Sequence, residues 1–239
     1  MKTVQIVLVM LIFLIFTSVS TIFASTKSDK SNYSTDKGTV SSSGVIINDL
    51  KTASALAEYG SRSQNPMALV VAAQILKSTP TQKQNREKST EILDQNTPES
   101  PSSPATSESV LNAEQLLTEA LGMTQDPTIV EMIEKTFAME GTRGRKEGPV
   151  EHEDTVSART TDVYKVTMKA REIAKVVIIS DEKNDIDLYI YDENDNMIIA
   201  DNDDTSHCYV EWTPKWEGEF TIKVRNNGST PSRYILLTN

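Results

Sequence analysis

The sequence predicts an α+β protein built as separate modules, with a small helical-hairpin module followed by an antiparallel β-sandwich. Two observations predict this class. Apolar residues recur at helical spacing up to about residue 140, whereas they alternate with a period of two after Pro149. The part after Pro149 also holds both tryptophans and five of the seven tyrosines, and aromatic residues favour strands.

Composition restricts the function classes. The 239 residues include 24 Lys and Arg against 34 Asp and Glu, which gives a formal net charge of −10. Nucleic-acid binding needs clustered positive charge, so nucleic acid is not an expected partner. One cysteine cannot form an internal disulfide. Two histidines and one cysteine cannot complete a zinc site without carboxylate ligands.

The first residues have the pattern of a secretory signal peptide. Lys2 precedes an apolar run from Val4 to Phe16, and small or polar residues then lead to Ala24. We therefore predict a cleaved signal peptide over 1–24 and a secreted or periplasmic protein. The alternative is an uncleaved anchor, which is the one case in which we expect a membrane association. Residues 25–43 are rich in Ser, Thr and Lys and predict a disordered tether.

Residues 44–140 predict the helical module. A helical pattern begins at Val45, and Asn65-Pro66 opens a second helix with an N-cap and a preorganised first turn. The pattern returns at Ala113, and Asp126-Pro127 opens a fourth helix. The Asn/Asp-Pro starts recur at one offset and indicate two related hairpins, unless they reflect only a common way to start a helix. Residues 79–109, with four prolines and many polar residues, predict a disordered insertion.

Residues 141–155 predict a linker, and its basic stretch Gly141 to Pro149 fits a hinge better than an anion site or a protease site. Residues 156–239 contain seven short apolar or alternating segments separated by Asn, Gly and Pro turns. Such segments over about ninety residues predict a β-sandwich.

Three motifs in this region resemble the bacterial pre-peptidase C-terminal domain. They are Asp185-x-Asp-Leu-Tyr-x-Tyr-Asp192, Asp201-Asn-Asp-Asp204, and Trp212-Thr-Pro-x-Trp-x-Gly218 with the strand after it. The resemblance implies a jelly-roll-like sandwich of the kind appended to secreted proteases and other exported enzymes. Related collagen-binding modules bind calcium and a protein ligand. Here a helical stretch rather than a protease domain precedes the motifs, and that stretch resembles uncharacterised exported bacterial proteins.

Ten acidic residues lie between Asp181 and Asp204. Clustered carboxylates on neighbouring loops suit Ca²⁺, which takes six to eight oxygen ligands. An EF-hand is excluded because Met197 stands where the sharp turn needs glycine. A calcium site of different geometry is one hypothesis, and the alternative is a solvated acidic face that keeps strand edges unpaired. The predicted ligands are Asp185, Asp187, Asp201, Asp203 and Asp204.

Aromatic residues supply the candidate binding surface. Trp212 and Trp216 flank Pro214, and one hypothesis is that they form an exposed platform for a sugar or a protein, with Tyr189 and Tyr191 as further ligand-binding candidates. The alternative is that the tryptophans are half-buried at one end of the sandwich. Adjacent strand residues point to opposite faces, so His207 and Cys208 cannot share a metal, and we expect Cys208 in the core.

No pair of nucleophile and base emerges from the sequence, although spacing alone does not rule out a Ser-His-Asp triad. We therefore predict an exported, non-enzymatic binding protein. Its β-sandwich would bind a protein, a glycan or a cell-envelope component, with help from Ca²⁺. The alternative is an accessory or targeting subunit of a secreted hydrolase.

Overall fold

The computed structural model describes residues 30–93, 110–141, 148–181 and 184–239, and the predicted signal peptide lies outside them. The described residues form four helices and ten strands, which confirms the predicted fold class. The helices are α1 (Ser42–Ser63), α2 (Pro66–Ser78), α3 (Ala113–Met123) and α4 (Pro127–Phe137). The strands are β1 (Gln82–Lys83), β2 (Ser89–Ile92), β3 (Val150–Val156), β4 (Thr160–Met168), β5 (Ala174–Ser180), β6 (Ile186–Tyr191), β7 (Met197–Asp201), β8 (Cys208–Trp212), β9 (Gly218–Asn226) and β10 (Ser232–Thr238).

Both Asn/Asp-Pro motifs start helices. Asn65 caps α2 by accepting a hydrogen bond from the Ala68 N–H, and Asp126 caps α4 by accepting one from the Thr128 N–H. Helix α2 contacts each of the other three helices. This central position explains why it is apolar on most sides, and residues such as Leu69, Val70 and Leu76 are completely buried.

Two five-stranded sheets form the sandwich. The helix-side sheet has the order β1-β3-β10-β5-β8, and the outer sheet has the order β2-β4-β9-β6-β7. Strand β1 pairs in parallel with β3, and the other paired strands are antiparallel. Strands β7 and β8 end the two sheets on one side of the sandwich, and the short strands β1 and β2 end them on the other.

The helical module and the sandwich share a hydrophobic core. Every residue of β5 is buried, because one face of the strand packs against the outer sheet and the other face packs against the helices. Val176 and Ile178 lie in the core between the sheets, whereas Val177 and Ile179 pack against the helices. Helix α1 contacts both β5 and β10. The two modules are therefore joined by apolar burial and not only by the chain.

The described part of the predicted tether is not a free segment. Residues 30–41, here called the amino-terminal strap, lie along one end of the sandwich. The Asn32 side chain donates to the Trp216 carbonyl and accepts from the Trp216 N–H, each at 3.1 Å. The Asn32 N–H donates to Asp192 at 2.9 Å, and Thr39 bridges to Glu172. Hydrogen bonds rather than apolar burial order the strap, so its hydropathy gave no sign of this position.

The predicted disordered insertion is also wrong over its described part. Residues 80–93, here called the edge segment, supply β1 to the helix-side sheet and β2 to the outer sheet. Gly148 makes this approach possible, since it has φ +108° and a Cβ there would lie 2.3 Å from the Pro80 carbonyl oxygen. The remainder of the predicted insertion, 94–109, lies outside the described residues.

The predicted linker 141–155 contains most of β3, the second strand of the helix-side sheet. Its polar sequence, Val150-Glu-His-Glu-Asp-Thr-Val156, hides the strand pattern. Glu151 and His152 are nevertheless buried. Lys83 lies 3.7 Å from Glu151 and Asp154 contacts His152, and these partners offset part of the cost of burying the two side chains. Residues 142–147 of the linker are outside the described part.

Candidate binding groove between helix α1 and the sandwich

Three adjoining cavities form a groove between α1 and the end of the sandwich at β8. Their volumes are about 350, 470 and 220 Å³, and all three are lined by Glu58 and His207. We call this the interface groove. It is lined by Lys51, Ser54, Ala55, Glu58, Glu119, Val177, Ile179, Asp185, Asp201, Asp204, His207 and Tyr209, among others.

The floor of the interface groove is apolar. Val177 and Ile179 of β5 reach it from the sheet, and Leu116 reaches it from α3. These residues belong to the core that the helices share with the sandwich. The floor is therefore a continuation of a packed interior, and its shape does not depend on a loop.

The rim of the interface groove is acidic. Among the residues that the structure describes, five carboxylates line the three cavities, and Lys51 is the one lysine that lines them. Three of the five were predicted functional residues: Asp185, Asp201 and Asp204. Glu58 and Glu119 come from helices that sequence reasoning did not connect with the acidic loops. A concave surface lined by one sign of charge concentrates the opposite sign in front of it.

Tyr209 organises one end of the groove. The Lys51 ammonium lies 3.7 Å from the centre of the Tyr209 ring, which is a cation–π contact. The Tyr209 N–H donates to Asp201 at 2.7 Å, and its hydroxyl donates to Glu211 at 2.5 Å. Burial, together with the Glu211 carboxylate, raises the pKa of the Tyr209 phenol, so the ring carries no charge at neutral pH.

Cys208 lies in the sandwich core, as predicted, with its thiol donating to the Ile186 carbonyl at 3.0 Å. Burial raises the pKa of the thiol far above its usual value. The carboxylates of Asp201, Asp187, Asp203 and Asp185 raise it further. A thiol held neutral in this way is neither a nucleophile nor a thiolate ligand. The neighbouring His207 lines the groove, and its ring lies 3.0 Å from the Ser206 hydroxyl.

The predicted calcium ligands are largely engaged in hydrogen bonds within the protein. Asp187 accepts from the Tyr189 hydroxyl at 2.8 Å, and Asp203 accepts from the Thr205 N–H at 3.1 Å. Asp185 accepts from the Asn227 amide at 2.9 Å through one oxygen, while its other oxygen is shielded and has no hydrogen-bond partner. Among the described residues, no three His, Cys, Asp or Glu side chains are grouped to hold a metal ion.

The predicted aromatic platform is wrong for Trp212. This side chain is 3% exposed, and its ring packs against Phe220 with the ring centres 5.2 Å apart. Trp216 is half-buried beneath the amino-terminal strap and donates its ring N–H to Glu193. Packing of the sandwich end and the strap thus uses the two rings that the sequence suggests for a ligand.

Tyr189 and Tyr191 lie elsewhere, on the outward face of β6 in the outer sheet. Both are half-buried. The Lys223 ammonium lies 5.6 Å from the centre of the Tyr191 ring. The structure therefore does not bring the four aromatic candidates together, and their role in binding stays a prediction.

A buried polar cluster beside the edge segment was missed by sequence reasoning. We call it the edge cluster, and it connects β3, β4 and β10 through Asp154, Asp162, Tyr164 and Tyr234. The Tyr164 hydroxyl donates to Asp154 at 3.2 Å, the Tyr234 hydroxyl donates to Asp162 at 2.9 Å, and the two hydroxyls contact each other. Lys88 of the edge segment lies 2.8 Å from both carboxylates.

Electrostatics identifies the edge cluster as a structural element. Burial raises the pKa values of both phenols, so Tyr164 and Tyr234 remain protonated. Burial also raises the pKa of Asp154, but hydrogen bonds from His152, Lys88 and the Thr155 N–H bring it well below its usual value. Burial raises the pKa of Asp162 despite its bonds to Lys88 and Tyr234. The lysine therefore holds the edge segment to both sheets through buried charge.

No protein-family model and no curated protein matches the chain. Among solved structures, the chain is similar to the pre-peptidase C-terminal domain of a collagenase from Bacillus anthracis. The two share 15% identity over 36% of this chain and 87% of that one, with a TM-score of 0.30.

No helix in the described part of the chain has both the length and the hydropathy that spanning a bilayer requires.

Proposed function

We propose that this chain is an exported, non-catalytic binding protein, and that the interface groove holds a segment of a partner protein. The observation that carries the proposal is an open groove with an apolar floor and a charged rim, set between two modules that elsewhere share one core. Binding sites typically combine such an apolar surface with a few placed polar groups.

The state of the reactive side chains supports a binding role. The Cys208 thiol is buried and its raised pKa keeps it neutral. His152 is 5% exposed and contacts Asp154 and the Gln84 carbonyl within the sandwich. These groups stabilise the fold, and the groove itself offers charge and apolar surface to a ligand.

Site-specific photo-crosslinking tests the proposal in the full chain. Ala55 is exposed on α1 and lines the groove, so a photoreactive amino acid there faces any occupant. Glu131 on α4 is the matched control, because its side chain is 63% exposed and lies outside the groove-lining set. In the cells that produce the protein, we expect a discrete protease-sensitive adduct from position 55 and none from position 131.

Two outcomes would contradict the proposal. Equal adducts from both positions would mean non-specific contact, and no adduct from position 55 would mean an empty groove. A protease-resistant adduct that glycosidase removes would replace the protein partner with a glycan. Ala55→Trp places a large ring in the groove and should prevent capture by a second photoreactive residue at Lys51, whereas Glu131→Trp should not.

A further inference from the structure

We propose that the interface groove selects a cationic segment, in which Lys or Arg side chains flank an aliphatic residue. This inference rests on the proposed function and names the chemistry of the partner. Its basis is the pairing of an acidic rim with an apolar floor in one continuous groove.

The negative charge of the rim favours a positively charged ligand. Glu58, Glu119, Asp185, Asp201 and Asp204 line the groove, and Lys51 is the lysine that opposes them among the lining residues. Arg62 neutralises part of the Glu58 charge through an ion pair at 3.0 Å, but both side chains in that pair are largely exposed. An exposed pair of this kind is weak, so the carboxylate can exchange partners.

The two ends of the groove differ in what they can accept. At the Tyr209 end, the Lys51 ammonium already covers the ring. At the other end, Asp185 and Asp204 line the cavity that also contacts Glu58 and His207. The Asp204 and Glu58 side chains are exposed there, so a cationic side chain of a ligand can reach both carboxylates.

The apolar floor of the groove favours an aliphatic side chain on the ligand. Above the buried Val177 and Ile179, the exposed Ala55 and the half-buried Leu116 present aliphatic surface beside the acidic rim. An aliphatic side chain on the ligand would bury against them, while acidic peptides and phosphates would be repelled by the rim.

Fluorescence anisotropy with two labelled pentapeptides tests the selectivity on the full mature chain. The probes are Arg-Leu-Arg-Val-Arg and its acidic counterpart Glu-Leu-Glu-Val-Glu. We expect the basic peptide to bind and the acidic one not to bind. The affinity should fall as salt is raised, because the rim charges are partly exposed and ions screen them.

Charge-matched variants separate the groove from the general acidity of the protein. Glu58→Gln with Asp204→Asn removes two rim charges and should weaken binding of the basic peptide about tenfold. Glu131→Gln with Glu134→Gln removes two exposed charges from α4, outside the groove-lining residues, and should change the affinity by less than about twofold.

Equal weakening by the two double variants would overturn the inference, as would equal binding of the two peptides or no binding of either. Dimerisation that Ala55→Trp abolishes would also overturn it, because a second copy would then be the occupant. An adduct at position 55 without binding of the basic peptide would refute the cationic ligand and leave the proposed function standing. Failure of both experiments would refute the two together.

Discussion

Asp192 connects the amino-terminal strap to the sandwich through a single buried carboxylate. It is 1% exposed and accepts hydrogen bonds from the N–H groups of Asn32, Asn194 and Asn196 and from the Asn196 amide. Burial raises its pKa, but these donors lower it by more, so the pKa lies below its usual value of 3.8. The ionised form is therefore the one that the fold stabilises.

We expect Asp192→Asn to lower the free energy of unfolding by about 2–3 kcal/mol at neutral pH, because charged acceptors make the stronger hydrogen bonds. Asp36→Asn, at an exposed position of the same strap, is the control and should change it by less than about 0.5 kcal/mol. Urea unfolding measures both values.

The pH dependence of the Asp192 contribution has a defined sign. A lowered native pKa means that the unfolded chain binds the proton more readily, so the contribution is complete above about pH 5 and is lost as pH falls through the native pKa. The difference between wild type and Asp192→Asn should therefore shrink at acid pH. A difference that grows on acidification would contradict this account of the carboxylate.

Calcium binding stays a prediction at the residue scale, and melting the full chain tests it. If Asp185, Asp203 and their neighbours bind Ca²⁺, then Ca²⁺ at about a hundred times its dissociation constant adds about 2.7 kcal/mol to the unfolding free energy. The melting temperature should then rise above its value in a chelator, and Asp185→Asn with Asp203→Asn should abolish the rise. Identical melts would leave these acids as hydrogen-bond acceptors and rim charges.

At the scale of elements, the edge segment depends on Lys88. Its ammonium contacts Asp154 and Asp162, and the Asp162 side chain is 1% exposed. We expect Lys88→Met to lower the unfolding free energy by about 2–4 kcal/mol, since it leaves buried carboxylates without a counter-charge. The control is Lys165→Met, because the Lys165–Glu219 pair is exposed and should contribute less than about 1 kcal/mol.

Acidification should partly rescue the Lys88→Met variant. Burial already raises the native pKa of Asp162, so the folded protein takes up a proton there more readily than the unfolded chain. Stability linked to this group is therefore greatest at low pH and is lost as pH rises through the native pKa. Without Lys88 that pKa rises further. A variant equally destabilised at neutral pH and at about pH 4 would contradict this role for Asp162.

The elements that follow a local pattern could be predicted from the sequence. The structure confirms the predicted helix starts at Asn65-Pro66 and Asp126-Pro127. The alternation of apolar and polar residues likewise predicted strands such as β6 and β9. Elements held by distant polar partners could not be predicted. Strand β3 buries Glu151 and His152, and the edge segment is held by Lys88, whose two carboxylate partners lie more than sixty residues away.

The residues of the candidate site also fall into two groups, those that could be predicted from the sequence and those that could not. Asp185, Asp201 and Asp204 could be selected from the acidic loops, because their density is visible in the sequence. Glu58, Lys51 and Ala55 could not, because they read as the outer face of an amphipathic helix. Only the packing of α1 against β5 turns that face into one wall of the interface groove.

At the scale of the whole molecule, the shared core predicts one cooperative unfolding transition. Val177, Ile179, Ile235 and Leu237 of the sandwich are buried with helical residues in one cluster. Both tryptophans lie in the sandwich, so their fluorescence follows that module, while circular dichroism in the helix band follows the helices. The two signals should give the same urea midpoint. Separate midpoints would mean that the modules unfold independently, which would also remove the rigid wall that the interface groove requires.

Crosslinking from position 55, compared with crosslinking from position 131 in the cells that produce the protein, tests most directly whether the interface groove binds a partner. We expect a discrete protein adduct from position 55 whose mapped site in the partner is a cationic segment, and no such adduct from position 131. No adduct from position 55, or equal adducts from both, would contradict the claim that the interface groove is the binding site.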